Sequence, residues 1–134
     1  MGTTSAGLFL DDLNNNALPA FSFVTPNLCN DTHDCPIASG DAWLRDWFAK
    51  IVASPGYLDG STVVVLTWDE DERTEGNRIP TIVVSPSTPV GTTSATLFSH
   101  YSLLKATEEL LGIETFLGHA GDPGTNSMRA AFNL

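Results

Sequence analysis

Four acids in a row, Asp69-Glu70-Asp71-Glu72, stand just after Val63-Val64-Val65-Leu66-Thr67, a β-branched and apolar run that reads as a buried strand. Neighbouring carboxylates repel one another. A divalent cation is one relief, because hard cations prefer carboxylate oxygens. A solvated acidic loop balanced by Arg73 and Arg78 is the other. Two histidines stand where chemistry could be done: His33, inside Asp31-Thr32-His33-Asp34, and His100, directly after Ser99. On their own they read as a surface loop residue and as a contributor to a helix cap, and His119 is assigned no role. Cys29 and Cys35, the only cysteines, flank the His33 segment with five residues between them. C-x5-C is not a zinc spacing and no second pair exists. That arithmetic favours a disulfide over two buried thiols or half a metal site, and a disulfide points to an oxidising compartment.

These residues need elements to hold them. Leu8, Phe9 and Leu13 are spaced for a helix over 7–15. Ala20–Thr25 alternates apolar and small residues up to Pro26, which predicts a strand. Asn27–Gly40 is then a polar loop. From Asp41 to Ala53, Leu44, Trp47, Phe48, Ile51 and Val52 recur at helical intervals, with Asp41 as N-cap and Pro55-Gly56 beyond the end. Ser61–Thr67 and Ile79–Val84 read as strands buried on both faces, joined by the charged loop Trp68–Arg78. Ser99–Leu111 reads as a helix with Ser99 as N-cap, Gly112 as C-cap, and Leu103, Leu104, Thr107, Leu110 and Leu111 facing inward. The segment 119–134 is expected to be a loose tail. Strands alternating with helices give an α/β layer architecture, in which polar groups gather beyond the carboxyl ends of strands.

The 134 residues fit one domain, and 42% hydrophobic content suffices for a core. Six basic against sixteen acidic residues give a net charge of −10, which disfavours nucleic acid and anionic headgroups as partners. No apolar run approaches the roughly 20 residues of a membrane span, so stable membrane insertion is not expected. The first seven residues lack a basic region and do not read as a secretory signal.

Several motifs in fixed order carry a family resemblance. Leu18-Pro19-Ala20-Phe21-Ser22-Phe23-Val24-Thr25-Pro26-Asn27 leads to Asn30-Asp31-Thr32-His33-Asp34 and Gly40-Asp41-Ala42-Trp43-Leu44. Thr67-Trp68-Asp69-Glu70, Arg78-Ile79-Pro80-Thr81-Ile82-Val83-Val84-Ser85-Pro86 and Ser99-His100-Tyr101-Ser102-Leu103-Leu104-Lys105 follow. Together they resemble the bacterial phosphoesterase family, which contains secreted acid phosphatases and phospholipases C and belongs to the alkaline-phosphatase-like superfamily. The cysteine pair around Asn30-Asp31-Thr32-His33 looks like that of actinobacterial acid phosphatases acting on phosphoinositides and other phosphomonoesters.

The resemblance implies an α/β fold, a partial alkaline-phosphatase-like sheet flanked by helices, and a phosphate-ester substrate. It also implies a secreted or cell-surface location. By matching position, Asp69 and Glu70 would contribute to a site for a divalent metal ion and phosphate. His33 would face the phosphoryl or leaving group, with Asp31 and Asn27 nearby, and His100 would lie close by. A metal on carboxylates would neutralise phosphate charge, and a histidine could protonate the departing alkoxide. The same resemblance predicts that His33, Asp69, Glu70 and His100 converge at one edge of the sheet.

The chain departs from the family in one respect. The family's amino-terminal half carries a Glu-Asn metal motif and a hydroxyl nucleophile, and the context of Thr3, Thr4 and Ser5 resembles neither. The chain therefore reads as the carboxy-terminal portion of a phosphoesterase. Its sheet would be exposed, and marginal stability or self-association is expected. Two functions follow: a metal-assisted phosphoric-ester hydrolase that needs the other half, with little activity alone, or an inactive remnant that binds a metal or ligand.

Overall fold

The structure, a computed structural model, describes residues 6–134, so Thr3, Thr4 and Ser5 lie outside the described residues. Between Ser61 and Thr62 the chain divides into two compact units.

The first unit holds three helices: α1 (Ala6–Asn14), α2 (Ile37–Val52) and α3 (Pro55–Leu58). Leu13 of α1 is fully buried, and α3 lies against both α1 and α2. Trp47 joins the two longer helices, its ring 5.5 Å from that of Phe9 and 6.3 Å from that of Trp43. Ser54 ends α2 and starts α3, donating its hydroxyl to the Ile51 carbonyl at 2.7 Å and accepting the Tyr57 N–H at 3.4 Å.

α2 begins four residues before the expected cap at Asp41. Pro36, at φ −58° and ψ 150°, takes the cap position instead. Its fixed φ suits the entry to a helix, and Cys35 immediately before it is tied down by a disulfide. Asp41 lies inside the helix, 4.0 Å from Arg45 on the exposed face.

The strand expected over Ala20–Thr25 does not form. The segment bends at Ala20 and Phe21 and is irregular beyond, and among the described residues no hydrogen bond reaches its backbone. Phe21 and Phe23 stand 56% and 82% exposed, with ring centroids 6.5 Å apart. A strand exists only through a neighbour, and the first unit supplies none.

The second unit contains β1 (Val64–Thr67) and β2 (Thr81–Val84), then α4 (His100–Leu110), a 3₁₀ turn (Gly118–Gly121) and α5 (Arg129–Phe132). β1 and β2 pair antiparallel, with Val64 opposite Val84 and Thr67 opposite Thr81, whose hydroxyls lie 3.0 Å apart. Both strands are shorter than expected. Pro80 has no N–H to give, so β2 starts after it. At the other end the Ser85 carbonyl is turned to the Thr88 N–H at 3.1 Å, which leaves Val63 without a partner. Neither strand is buried on both faces: β1 is half-buried throughout, and Ile82 is exposed.

α4 follows its sequence signals closely. The Ser99 N–H donates to Ser102 Oγ at 3.1 Å. At the far end Gly112 adopts φ +71°, where the Gly112 N–H reaches the Glu109 carbonyl at 3.2 Å and the Ile113 N–H the Glu108 carbonyl at 2.9 Å. This paired closure is the Schellman motif. The inward face differs from expectation, since Ser102, Ala106 and Glu108 are buried while Leu110 and Leu111 are exposed.

The segment expected to be loose packs on α4. Ala120 and Met128 are buried. Lys105 Nζ donates to the Thr125 carbonyl at 2.9 Å, the Leu117 N–H donates to the Glu108 carboxylate at 3.1 Å, and Ser127 Oγ lies 2.6 Å from the Glu109 carboxylate. Composition suggested looseness; the polar residues of α4 supply the fastening.

Gly40 gives a direct test of the first unit. A Cβ there would collide with the Thr32 side chain and lie 2.9 Å from the Asn30 carbonyl oxygen, a backbone atom. Gly40→Ala is expected to cost about 1–3 kcal/mol of stability, read as a lowered urea midpoint. An unchanged midpoint would show that α2 does not dock closely on the disulfide loop.

Candidate functional site

In the first unit the segment 27–35 is a loop built on side-chain acceptors. Asn27 Oδ1 accepts the N–H groups of Cys29 and Asn30 at 3.2 and 3.0 Å. Asp31 Oδ1 accepts the His33 N–H at 2.8 Å, and Thr32 between them sits at φ +77°. Cys29 and Cys35 form the expected disulfide, with Cα atoms 4.7 Å apart. The clip thus encloses Asp31 and His33 and sets their backbone. His33 itself is 73% exposed, and its Nδ1 lies 2.7 Å from Asp34 Oδ1. An ionised carboxylate only accepts, so Nδ1 carries the hydrogen in this bond. Asp34 therefore joins the candidate residues. Its adjacency to His33 was the only sequence signal for it.

In the second unit β1 delivers Asp69 and Glu70 at its end, both exposed. His100, the first residue of α4, reaches back to them: its Nε2 lies 2.9 Å from the Asp69 carbonyl oxygen. The structure therefore joins two motifs that lie 31 residues apart. The other side of the acidic pair is held by Asp71. Its Oδ1 accepts the Arg73 N–H at 2.7 Å, and its Oδ2 accepts those of Glu75 and Asn77 at 2.9 and 2.7 Å. The Asp71 N–H donates in turn to Asn77 Oδ1 at 3.1 Å. Arg73, Gly76 and Asn77 take left-handed backbone to make this closure. One of the two sequence readings gave the charge balance to Arg73 and Arg78. Among the described residues neither side chain pairs with these acids, and backbone N–H groups stabilise the Asp71 charge instead. Its hydrogen bond from Arg73, with smaller help from Asn77 and Glu75, holds the Asp71 carboxyl below its ordinary value of 3.8.

Among the described residues no group of three or more His, Cys, Asp or Glu side chains is placed to hold a metal ion. Asp69 and Glu70 are hard oxygen donors, but two carboxylates fall short of the roughly six or more oxygens that such a cation takes. His119 pairs with Asp122 at 2.8 Å and lies edge-on to the Tyr101 ring, centroids 5.1 Å apart. No described helix is long and apolar enough to cross a membrane.

The sequence model of the phosphoesterase family matches residues 1–114. The chain belongs to the phosphoesterase family. Among curated proteins it is similar to an acid phosphatase of Aspergillus fumigatus, 34% identical over 93% of this chain and 28% of that protein. A phosphatidylinositol-3-phosphatase of Mycobacterium tuberculosis is 38% identical over 72% of this chain and 31% of that protein. A probable acid phosphatase of Kluyveromyces lactis is 34% identical over 85% of this chain and 28% of that protein. This phosphoesterase chain thus spans only 28–31% of the length of these relatives. No solved structure matches it.

The acidic loop carries a pH test. Asp71 is more acidic in the folded loop than in an unfolded chain, so its contribution is full above the ordinary 3.8 and is lost as pH falls through the lowered value. Protection factors of the Arg73, Glu75 and Asn77 amides are expected to stay level from neutrality to about pH 4 and to drop below it. Asp71→Ala should remove that protection at every pH. Protection indifferent to both changes would show that this carboxylate does not order the loop.

Proposed function

We propose that the chain serves the hydrolysis of phosphate monoesters, with phosphoinositides among the candidate substrates. The observation that carries the reading is the bond from His100 to the Asp69 carbonyl, which unites two family motifs in one place. The names of the relatives support the substrate class. The family match runs across both units, which supports reading them as portions of one phosphoesterase domain, the carboxy-terminal portion.

Hydrolysis replaces the ester P–O bond by a P–OH bond, and the departing alkoxide must take up a proton. We assign that proton to His33. The bond between Nδ1 and Asp34 supports that role by orienting the ring. Asn27 and Asp31 shape the loop that presents the ring. Asp69 and Glu70 are assigned to a divalent cation, which when bound would neutralise phosphate charge. Because this chain supplies only part of a ligand set, no step is derived through the ion. The disulfide supports a location outside the reducing cytosol. The exposed Ile82 on a two-stranded sheet supports self-association through that sheet.

Turnover of p-nitrophenyl phosphate by the chain is expected to be slow, to require an added divalent metal, and to fall to background in Asp69→Ala. His33→Ala is expected to slow an alkyl phosphate by about 100-fold and the nitrophenyl ester much less, because the poorer leaving group needs the proton more. Turnover that ignores chelator and Asp69→Ala alike would overturn the assignment of the acidic pair. Equal losses on both esters would remove His33 as the proton donor.

A further inference from the structure

We propose that His100 is a positioning residue, whose Nε2–H bond to the Asp69 carbonyl anchors one end of the Asp69-Glu70 pair while the Asp71–Asn77 closure anchors the other. A carbonyl oxygen can only accept, so the His100 nitrogen that faces Asp69 must carry the hydrogen. That nitrogen is engaged with backbone and is not aimed at a reacting atom. The ring hangs from a rigid support. His100 opens α4, and the helix start is fixed one residue earlier by the bond from the Ser99 N–H to Ser102 Oγ.

On the other side, Asp71 is fixed through both its N–H and its carboxylate. Between the Asp69 carbonyl and the Asp71 N–H stands a single residue, Glu70. The consequence is energetic. Two adjacent carboxylates repel, and a free loop would turn them apart into water. Holding their backbone in advance removes much of the ordering cost that a cation would otherwise meet on binding. Residues that act in this way leave the chemistry to others and set how firmly its groups are held.

The inference rests on the assignment of Asp69 and Glu70 to a cation, and its test separates the two. Wild type, His100→Ala and His100→Gln are compared as the full chain. Long-range proton–nitrogen spectra read which ring nitrogen of His100 is protonated. Heteronuclear relaxation reads the backbone mobility of Asp69 and Glu70, and a Mn²⁺ titration reads the broadening of their amide signals. The Nε2–H tautomer is expected at His100. His100→Ala should raise the mobility of both residues and weaken Mn²⁺ binding about fivefold to tenfold, the equivalent of one net hydrogen bond. Glutamine keeps an N–H at similar reach but cannot relay a proton, so His100→Gln should restore both readings. The Nδ1–H tautomer, or a glutamine variant no better than alanine, would overturn the proposal. Should Mn²⁺ leave both amides of the wild type untouched, the cation assignment fails, and the mobility series decides the anchor by itself.

Discussion

Like-charge repulsion at the end of β1 is the constraint on which this arrangement turns. Four ionised carboxylates in succession cannot share one environment, and the loop resolves the conflict by giving them different ones. Asp71 turns inward to backbone donors and becomes part of the scaffold. Asp69 and Glu70 remain exposed to solvent. An acid that organises the backbone beside acids that keep their charge exposed is a division of labour made by hydrogen bonding. Bringing in the arginines would have cancelled the negative charge of the loop.

The disulfide loop of the first unit uses the same chemistry with other residues. Asn27 and Asp31 spend their side-chain oxygens on nearby N–H groups, and the Cys29–Cys35 bond closes the ring around them. In both loops a short polar side chain substitutes for the sheet or helix partner that an irregular backbone lacks. Residues that look like a catalytic cluster in one dimension thus include several, Asn27 and Asp31 among them, whose side chains hold the backbone.

How far the sequence could be read follows from the range of the forces involved. The two ends of α4 were legible because Ser99 and Gly112 act within a turn of the residues they cap, whereas its buried face was not. The disulfide was legible because only one pairing was open. The strand over Ala20–Thr25 was not, since its alternating pattern describes a surface that needs a neighbour and says nothing of whether one exists. Pro36 took the start of α2 from Asp41 because the disulfide had already fixed the entering chain. At the site, Asp69, Glu70 and His100 came from a family resemblance. Asp34, Asp71 and Asn77 escaped because their importance lies in bonds to nearby backbone, which residue type alone does not specify.

The fastening of α4 has a consequence for how this protein is divided. The segment that matches the family ends at residue 114, whereas the groups that satisfy Lys105, Glu108 and Glu109 come from Leu117, Thr125 and Ser127. A chain trimmed to the family boundary would keep every recognisable motif, yet it would leave the buried Glu108 carboxylate without its Leu117 donor. His100 hangs from the opposite end of that helix. The boundary drawn by similarity and the boundary drawn by mechanics are therefore different lines, and the second lies beyond the first.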